Sequence, residues 1–338
     1  MAEHLPTDPV PKRGADARSP SMSDGRHEVR LLQTISPSSH AEWHKGEQYV
    51  QHLAGVQDKL APHAARVFLP YLTPQLREFF PLLPFVALSF IDAGGHPWGT
   101  LLPGKPGFIW SPQPALVRVD RLPPRGDPLE TVLQPGCPLG MLGIELPTRR
   151  RNRVNGIVVE VDATGFTLLV RQAYGNCPKY IQQRHSNGPR CLPDSLNVTS
   201  FDAIDDASAR ALLSVTDTAF VASYGPGPRG QHAMDISHRG GTPGFIRVDS
   251  DGCITVPEFS GNRYFNTLGN IHLTRRAAFV IPSFDSGDVL VLTGQARLCE
   301  PGEADDETAL VPGAERLWRM FPQKGQWLRG ALPLDFVV

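Results

Sequence analysis

The sequence predicts a mainly β chain with flanking helices, in which one small antiparallel barrel occurs twice. One observation is texture. Glycine (32) and proline (33) are frequent and separate short apolar runs rich in Val, Ile, Leu and Phe, as in many strands joined by tight turns. The other is self-similarity in a fixed order. FVALS at Phe85 to Ser89 matches FVASY at Phe220 to Tyr224, and PGFI begins at Pro106 and again at Pro243. Apolar strands end at Pro147 and Pro282, and RVNG ends at Gly156 where VLTG ends at Gly294. The offsets are 135, 137, 135 and 138 residues, a drift that one loop insertion accounts for. Closing each copy into a barrel hides the sheet edges that so many strands would otherwise expose.

The elements follow in order. Residues 1–38 are rich in charge and proline and lack an apolar core, so they read as a flexible tail and not as a signal peptide. Trp43, Tyr49, Val50, Leu53 and Val56 recur at helical spacing behind Ser39, which predicts a helix over 42–60. Thr73 before Pro74 is an N-cap with proline at the first helical position, predicting a second helix over 74–80. Strands begin at Phe85, with turns at DAGG (92–95), DATG (162–165) and DSDG (249–252). Residues 176–184 read as a short helix, 186–197 as a loop and 202–213 as a linking helix. The acidic stretch 300–307 reads as a solvated loop before a short segment around 317–321. The expected division is therefore a tail at 1–38, a helical lead-in with the first barrel at 39–198, and the linking helix with the second barrel at 199–338.

Composition excludes several functions. Lys plus Arg number 33 against 34 Asp plus Glu, so no net field favours nucleic acid or an anionic membrane. The longest apolar run, 79–91, is broken by Pro81 and Pro84 and falls short of the roughly 20 residues that span a bilayer. The expectation is a cytoplasmic protein that contacts neither nucleic acid nor membrane. Cys137, Cys177, Cys191, Cys253 and Cys299 are odd in number and widely spread, unlike a disulfide framework, a zinc site or an iron-sulfur site. Gly99 to Lys105 has P-loop spacing, but Pro106 stands where a hydroxyl is needed. Gly225, Gly227 and Gly230 fit GxGxxG, yet Pro226 and Pro228 interrupt them and no helix pattern follows. His40 and His44 stand four apart without a third ligand, so no metal site is expected and a helix-capping or exposed role is.

Three groups of residues carry binding chemistry. Arg149, Arg150, Arg151 and Arg153 crowd the start of a strand, where alternation sends Arg151 and Arg153 to one face. Such a cluster repels itself unless solvated or facing an anion, and guanidinium forks suit phosphate. In GNRYFNTLGN, Asn262, Arg263, Asn266, Thr267 and Asn270 gather amide, hydroxyl and guanidinium groups between apolar strands, without a clear helical stripe. That chemistry suits phosphate and a polar ring edge. Asp235, Ser237 and Arg239 alternate along MDISHRG and project from one strand face into the same pocket.

The run DISHRGGTPGFIRV, followed by PEFSGNRYFNTLGN, AFVIP and VLTG, closely resembles the FMN-binding split barrels related to pyridoxamine 5'-phosphate oxidase. LPTRRRNRVNG and GNCPKYIQ extend the resemblance to the first copy, so that it covers most of 40–330. It implies two tandem six-stranded split barrels of Greek-key type, with FMN at the barrel interface. Relatives of this kind are usually homodimers, whereas here the duplication supplies both barrels as an intrachain pseudo-dimer, leaving further dimerisation open. By motif position the resemblance implies that Asp235, Ser237 and Arg239 run beside the isoalloxazine. Asn262, Asn266, Thr267 and Asn270 match its phosphate segment, Arg149, Arg151, Arg153 and Asn155 its arginine-rich strand, and Cys177 and Lys179 its CPK segment. The first copy has no counterpart of GNRYFNTLGN, since 111–140 is proline-rich, and one flavin per chain is expected. The functional expectation is a flavin-dependent oxidoreductase that takes electrons from a nicotinamide cofactor or a separate reductase and passes them to a small acceptor. The alternatives are a non-catalytic flavin carrier or sensor, or a split barrel holding haem, through His238, or another flavin. No catalytic acid or base is identified.

Overall fold

The computed structural model describes residues 42–337 apart from 190, 205, 228–229, 301–302 and 304–310. The expected tail at 1–38, His40 and most of the acidic loop lie outside the described residues. The first sheet contains β1 (Phe85–Ile91), β2 (Pro97–Pro103), β3 (Ile109–Trp110), β4 (Leu116–Val119), β5 (Pro138–Glu145), β6 (Arg150–Asp162) and β7 (Gly165–Asn176). After β8 (His185–Pro189) and β9 (Asn197–Asp202) come β10 (Thr218–Pro226), β11 (His232–Gly240), β12 (Arg247–Val248) and β13 (Ile254–Phe259). β14 (Arg276–Pro282), β15 (Val289–Leu298), β16 (Ala314–Arg329) and β17 (Leu334–Val337) complete the chain.

The first sheet is ordered β2-β1-β5-β6-β7-β4-β3 and the second β11-β10-β14-β15-β16-β13-β12. Each strand of the second order is the ninth after its counterpart in the first, and neighbouring strands along both orders run antiparallel. Each copy thus has six substantial strands and one of two residues. The ladders also correct the sequence alignment. Bulges at Asn155/Gly156 in β6 and Thr293/Gly294 in β15 equate the two glycines. Following partners outward, the series Arg153, Leu142, Ala87, Leu101 corresponds to Val291, Val280, Phe220, His238. Phe85 is therefore equivalent to Thr218 and not to Phe220. A slip of two residues keeps every side chain on its own face, which is why FVALS and FVASY matched.

The barrels pack reciprocally. β11 lies against β1, β5 and β6, while β2 lies against β10, β14 and β15, as a pseudo-two-fold axis requires. Each barrel has its own apolar interior, with Phe85, Phe90 and Phe166 fully buried in the first and Trp318 stacked on Phe279 in the second. Each such ring stabilises the fold by about 2–3 kcal/mol through removal of apolar surface from water.

Several local expectations change. Helix α1 (Lys45–Leu53) stops well short of residue 60, because Gly55 takes the left-handed conformation at φ 64°. Short helical turns at Gln57–Leu60 and Ala64–Val67 follow. Helix α2 (Pro74–Phe79) forms as expected, with Thr73 Oγ1 accepting from Leu76 N. Residues 177–184 are irregular and not helical, since Pro178 offers no N–H and Tyr180 has φ 65°. Part of the expected loop 186–197 is strand β8, which pairs with β17. The boundary expected at 198/199 falls inside β9, whose pairing with β16 delays the linking helix α3 (Ala207–Val215) until its N-cap Asp206. The short segment expected around 317–321 is the middle of β16. Half of GNRYFNTLGN is helix α4 (Asn266–Thr274).

The candidate inter-barrel cleft

β6 of the first barrel and β11 of the second bring their polar faces together beneath the start of α4, and a cleft opens there. Its cations are Arg151, Arg153, Lys179 and Arg239, against one lining carboxylate, Glu258. Arg239 pairs with Glu258 at 2.9 Å. Among the described residues Arg151 has no carboxylate in an ion pair with it. Burial, with Arg153 and Arg239 close by, lowers its pKa to about 9. Its Nη1 lies 3.2 Å from His238 Nδ1, and its Nε has no partner. Burial and the neighbouring arginines hold the His238 pKa well below its usual value, so the ring is neutral and Nδ1 is the accepting nitrogen. Asn262, Asn266, Ser237 and Thr267 supply neutral polar groups, and Tyr180, Phe259 and Phe265 supply flat apolar walls. Tyr180 stacks on Phe259 at 5.0 Å, and its loop crosses β11 so closely that a Cβ on Gly240 would meet Tyr180 O at 2.0 Å. Tyr180 and Phe265 both have positive φ, a strain of about 1 kcal/mol each that packing must hold in place.

Beneath the cleft runs a buried polar network. Arg153 Nη1 donates to Asp235 Oδ1 at 2.8 Å and to Tyr174 Oη at 2.5 Å, and Nη2 donates to Ser237 Oγ at 2.7 Å. Burial opposes the Arg153 charge, but Asp235 and Tyr174 overcome it and hold the pKa above its ordinary value. Thr267 Oγ1 donates to Ser237 Oγ at 2.8 Å, and Asn155 Nδ2 to Asp235 Oδ1 at 3.2 Å. Tyr174 Oη donates to Asn266 Oδ1 at 3.3 Å, and Asn266 Nδ2 donates to Glu47 Oε1 at 2.5 Å. Glu47 arrives from α1, whose backbone touches that of α4. A Cβ on Gly269 would come within 2.5 Å of Glu47 N, and one on Gly46 within 2.2 Å of Gly269 O. Trp43, Phe68 and Tyr174 pack together behind this contact and fix the helical lead-in against the site.

Eight of the thirteen expected site residues line the cleft: Ser237, Arg239, Asn262, Asn266, Thr267, Arg151, Arg153 and Lys179. Asp235, Asn155 and Asn270 do not. Asp235 and Asn155 are turned into the Arg153 network, and Asn270, one helical turn further along α4, donates to Ser223 Oγ at 3.0 Å. Arg149 and Arg263 lie outside as well. Arg149 is at a left-handed turn with its side chain exposed, and Arg263, also left-handed, pairs with Glu315 at 3.0 Å. His44 is the N-cap of α1, with Nδ1 accepting from Gly46 N at 3.1 Å, and burial holds its pKa down to about 4. Sequence reasoning missed Glu47, Tyr174 and Glu258. Only Glu47 left a signal, as the third residue after a capping side chain. No trio of metal-ligating side chains occurs among the described residues, and none of their helices is long and apolar enough to cross a membrane.

Fold and site define a class: a mainly β protein of two tandem split barrels joined about a pseudo-two-fold, with a cationic cleft at their interface. No protein-family model and no curated protein matches the chain. Among solved structures, HupZ of Group A Streptococcus is 14% identical at a TM-score of 0.27, the alignment covering 36% of this chain and 90% of that one. A Corynebacterium glutamicum protein provisionally described as a pyridoxamine 5'-phosphate oxidase is 18% identical at 0.27, covering 39% and 99%. The FAD binding protein from Mycobacterium smegmatis is 13% identical at 0.27, covering 38% and 99%. At such values the chemistry of the cleft is read from its own residues.

Proposed function

We propose that this chain binds one FMN in the inter-barrel cleft and acts as a flavin-dependent oxidoreductase. The observation that carries the reading is the cluster of Arg151, Arg239 and Lys179, which only Glu258 offsets within the cleft. A phosphate monoester dianion supplies the missing charge and accepts the forked donors of two guanidinium groups. The donor set fits the group. Arg151 and Arg239 each keep a buried Nε without a partner, and the other walls combine hydrogen-bonding groups with aromatic faces. Arg151, Arg239 and Lys179 would hold the phosphate. Ser237, Asn266 and Thr267 would orient a polar ring edge, while Tyr180, Phe259 and Phe265 exclude water from its faces. Arg153, held by Asp235, places a fixed positive charge in the cleft floor. Bound FMN would supply the electron chemistry.

The test is a visible absorbance spectrum of the purified protein, with released chromophore counted against chain. Flavin bands at one per chain support the reading. A Soret band replaces FMN with haem, and a colourless protein that takes up no added FMN refutes it. Oxidation of NAD(P)H by the loaded protein faster than by free FMN supports the oxidoreductase, and equal rates reduce it to a carrier.

A further inference from the structure

We propose that Glu47, contributed by the helical lead-in and by neither barrel, is the positioning residue of the cleft's helical wall: it holds Asn266 in place as a hydrogen-bond acceptor, and its ionisation adds a buried negative charge beside the cleft, so that binding of an anionic ligand weakens as pH rises. This rests on the cleft being the ligand site, and not on the ligand being a flavin.

Glu47 is 4% exposed, and both carboxyl oxygens are engaged. Oε2 accepts from His44 N at 2.9 Å and Oε1 from Asn266 Nδ2 at 2.5 Å. Asn266 lines the cleft and also accepts from Tyr174, whose ring lies 5.1 Å from the Arg153 guanidinium carbon. A change of charge at Glu47 therefore reaches the cleft through one side chain. The titratable and charged groups that face it are His44 on α1, Arg153 on β6, Tyr174 on β7 and Asp235 on β11. His44 is neutral, and burial pushes the Tyr174 phenol up, so that it stays protonated. Burial likewise pushes Glu47 up to about 8, against the hydrogen bonds from His44 N and Asn266 and with Asp235 adding to the rise. Ionised Glu47 is a second carboxylate beside Asp235 in a desolvated place. The two then compete for Arg153, which also holds Ser237 in the cleft floor.

The sign for the ligand-free protein follows from linkage. Glu47 is raised in the folded state, so its contribution to stability is full below the ordinary glutamate value and is lost as pH rises through about 8. His44 is depressed and acts oppositely, its contribution being lost as pH falls through about 4.

The experiment measures binding of FMN and of inorganic phosphate to the full chain between about pH 7 and about pH 9, in wild type and Glu47→Gln, together with ligand-free thermal melts. Wild-type affinity should fall by up to about tenfold per pH unit above pH 8, while Glu47→Gln shows only the smaller fall that Arg151 contributes and loses the melt's decline towards pH 8. Arg151 also titrates, near 9, but does so in both proteins, so the difference between them isolates Glu47. An equal fall in both proteins, or none in wild type, overturns the proposal. Should Glu47→Gln fail to fold, the infrared band of a protonated carboxyl in wild type decides: its loss through about pH 8 alongside weaker phosphate binding supports the switch, and its absence at neutral pH refutes it. Phosphate binding with this profile but no FMN binding would sink the flavin reading and leave the Glu47 inference standing.

Discussion

The pseudo-two-fold places two equivalent interfaces between the barrels, and their side chains differ in kind. Arg151, Arg153 and Asn155 of β6 correspond to Val289, Val291 and Thr293 of β15. Asp235, Ser237 and Arg239 of β11 correspond to Trp98, Thr100 and Leu102 of β2. Val289, Val291, Trp98 and Leu102 belong to the first apolar core, with Ala331, Leu332 and Leu334 from the C-terminal segment packed into it. Thr293 Oγ1 donates to Pro97 O at 2.7 Å, and Thr100 Oγ1 to Asp127 Oδ2 at 2.5 Å, so the few polar groups there are satisfied internally. Where α4 closes the polar cleft, the β4–β5 connection has only a single 3₁₀ turn, Pro128–Thr131. A symmetric dimer cannot make this distinction, because one sequence writes both interfaces. Duplication in one chain lets one interface become core and frees the other to stay cationic.

Substitutions at equivalent positions test that contrast, beginning with the largest expected effect. Arg153→Ala leaves Asp235 buried without its ion pair and should cost about 3–5 kcal/mol in urea unfolding. Val291→Ala removes only methyl groups and should cost about 2 kcal/mol. Equal losses would mean that the ion pair is not what holds the polar interface. Next, Arg239→Ala or Asn266→Ala should weaken FMN binding about 10- to 100-fold by titration calorimetry, the scale of one lost charge-assisted or buried polar contact. Leu102→Ala should leave it unchanged, and wild-type affinity in both cleft variants would remove FMN from this site. The smallest change concerns Asp127 in the apolar interface, where burial raises the carboxyl to about 6. A raised acid contributes full stability below its ordinary value and loses it as pH rises through about 6. Asp127→Asn should therefore flatten the stability curve between about pH 4 and about pH 6, and an unchanged slope would assign the titration elsewhere.

Much of the fold was legible because its signals are local. PGFI recurs at a turn of the same shape, Gly107 and Gly244 both having positive φ, and alternation in MDISHRG and RRRNR gave the faces of β11 and β6 correctly. Helix α4 was not legible, because it is buried on more than one side. Leu268 and Ile271 enter the core while Gly269 meets α1, which erases an amphipathic stripe. Arg149 was misplaced for a backbone reason, since a left-handed residue turns its side chain out of the strand alternation that the reading assumed, and Arg263, also left-handed, pairs with Glu315 instead of entering the cleft. The Glu47, Tyr174 and Arg153 network had no sequence signal as a unit. Its members come from α1, β7 and β6, and only the packing of α1 on α4 brings them together.

The sequence by itself determined the duplication, the β class, the turns and which strand faces carry charge, since each depends on neighbours within a few residues or on repetition along the chain. Only the tertiary structure decided which interface is a cleft and which is core, which polar residues line the cleft and which support it, and that a helix before both barrels completes it. Those outcomes depend on burial and pairing between residues far apart in the chain, and desolvation makes a side chain's charge a property of its surroundings.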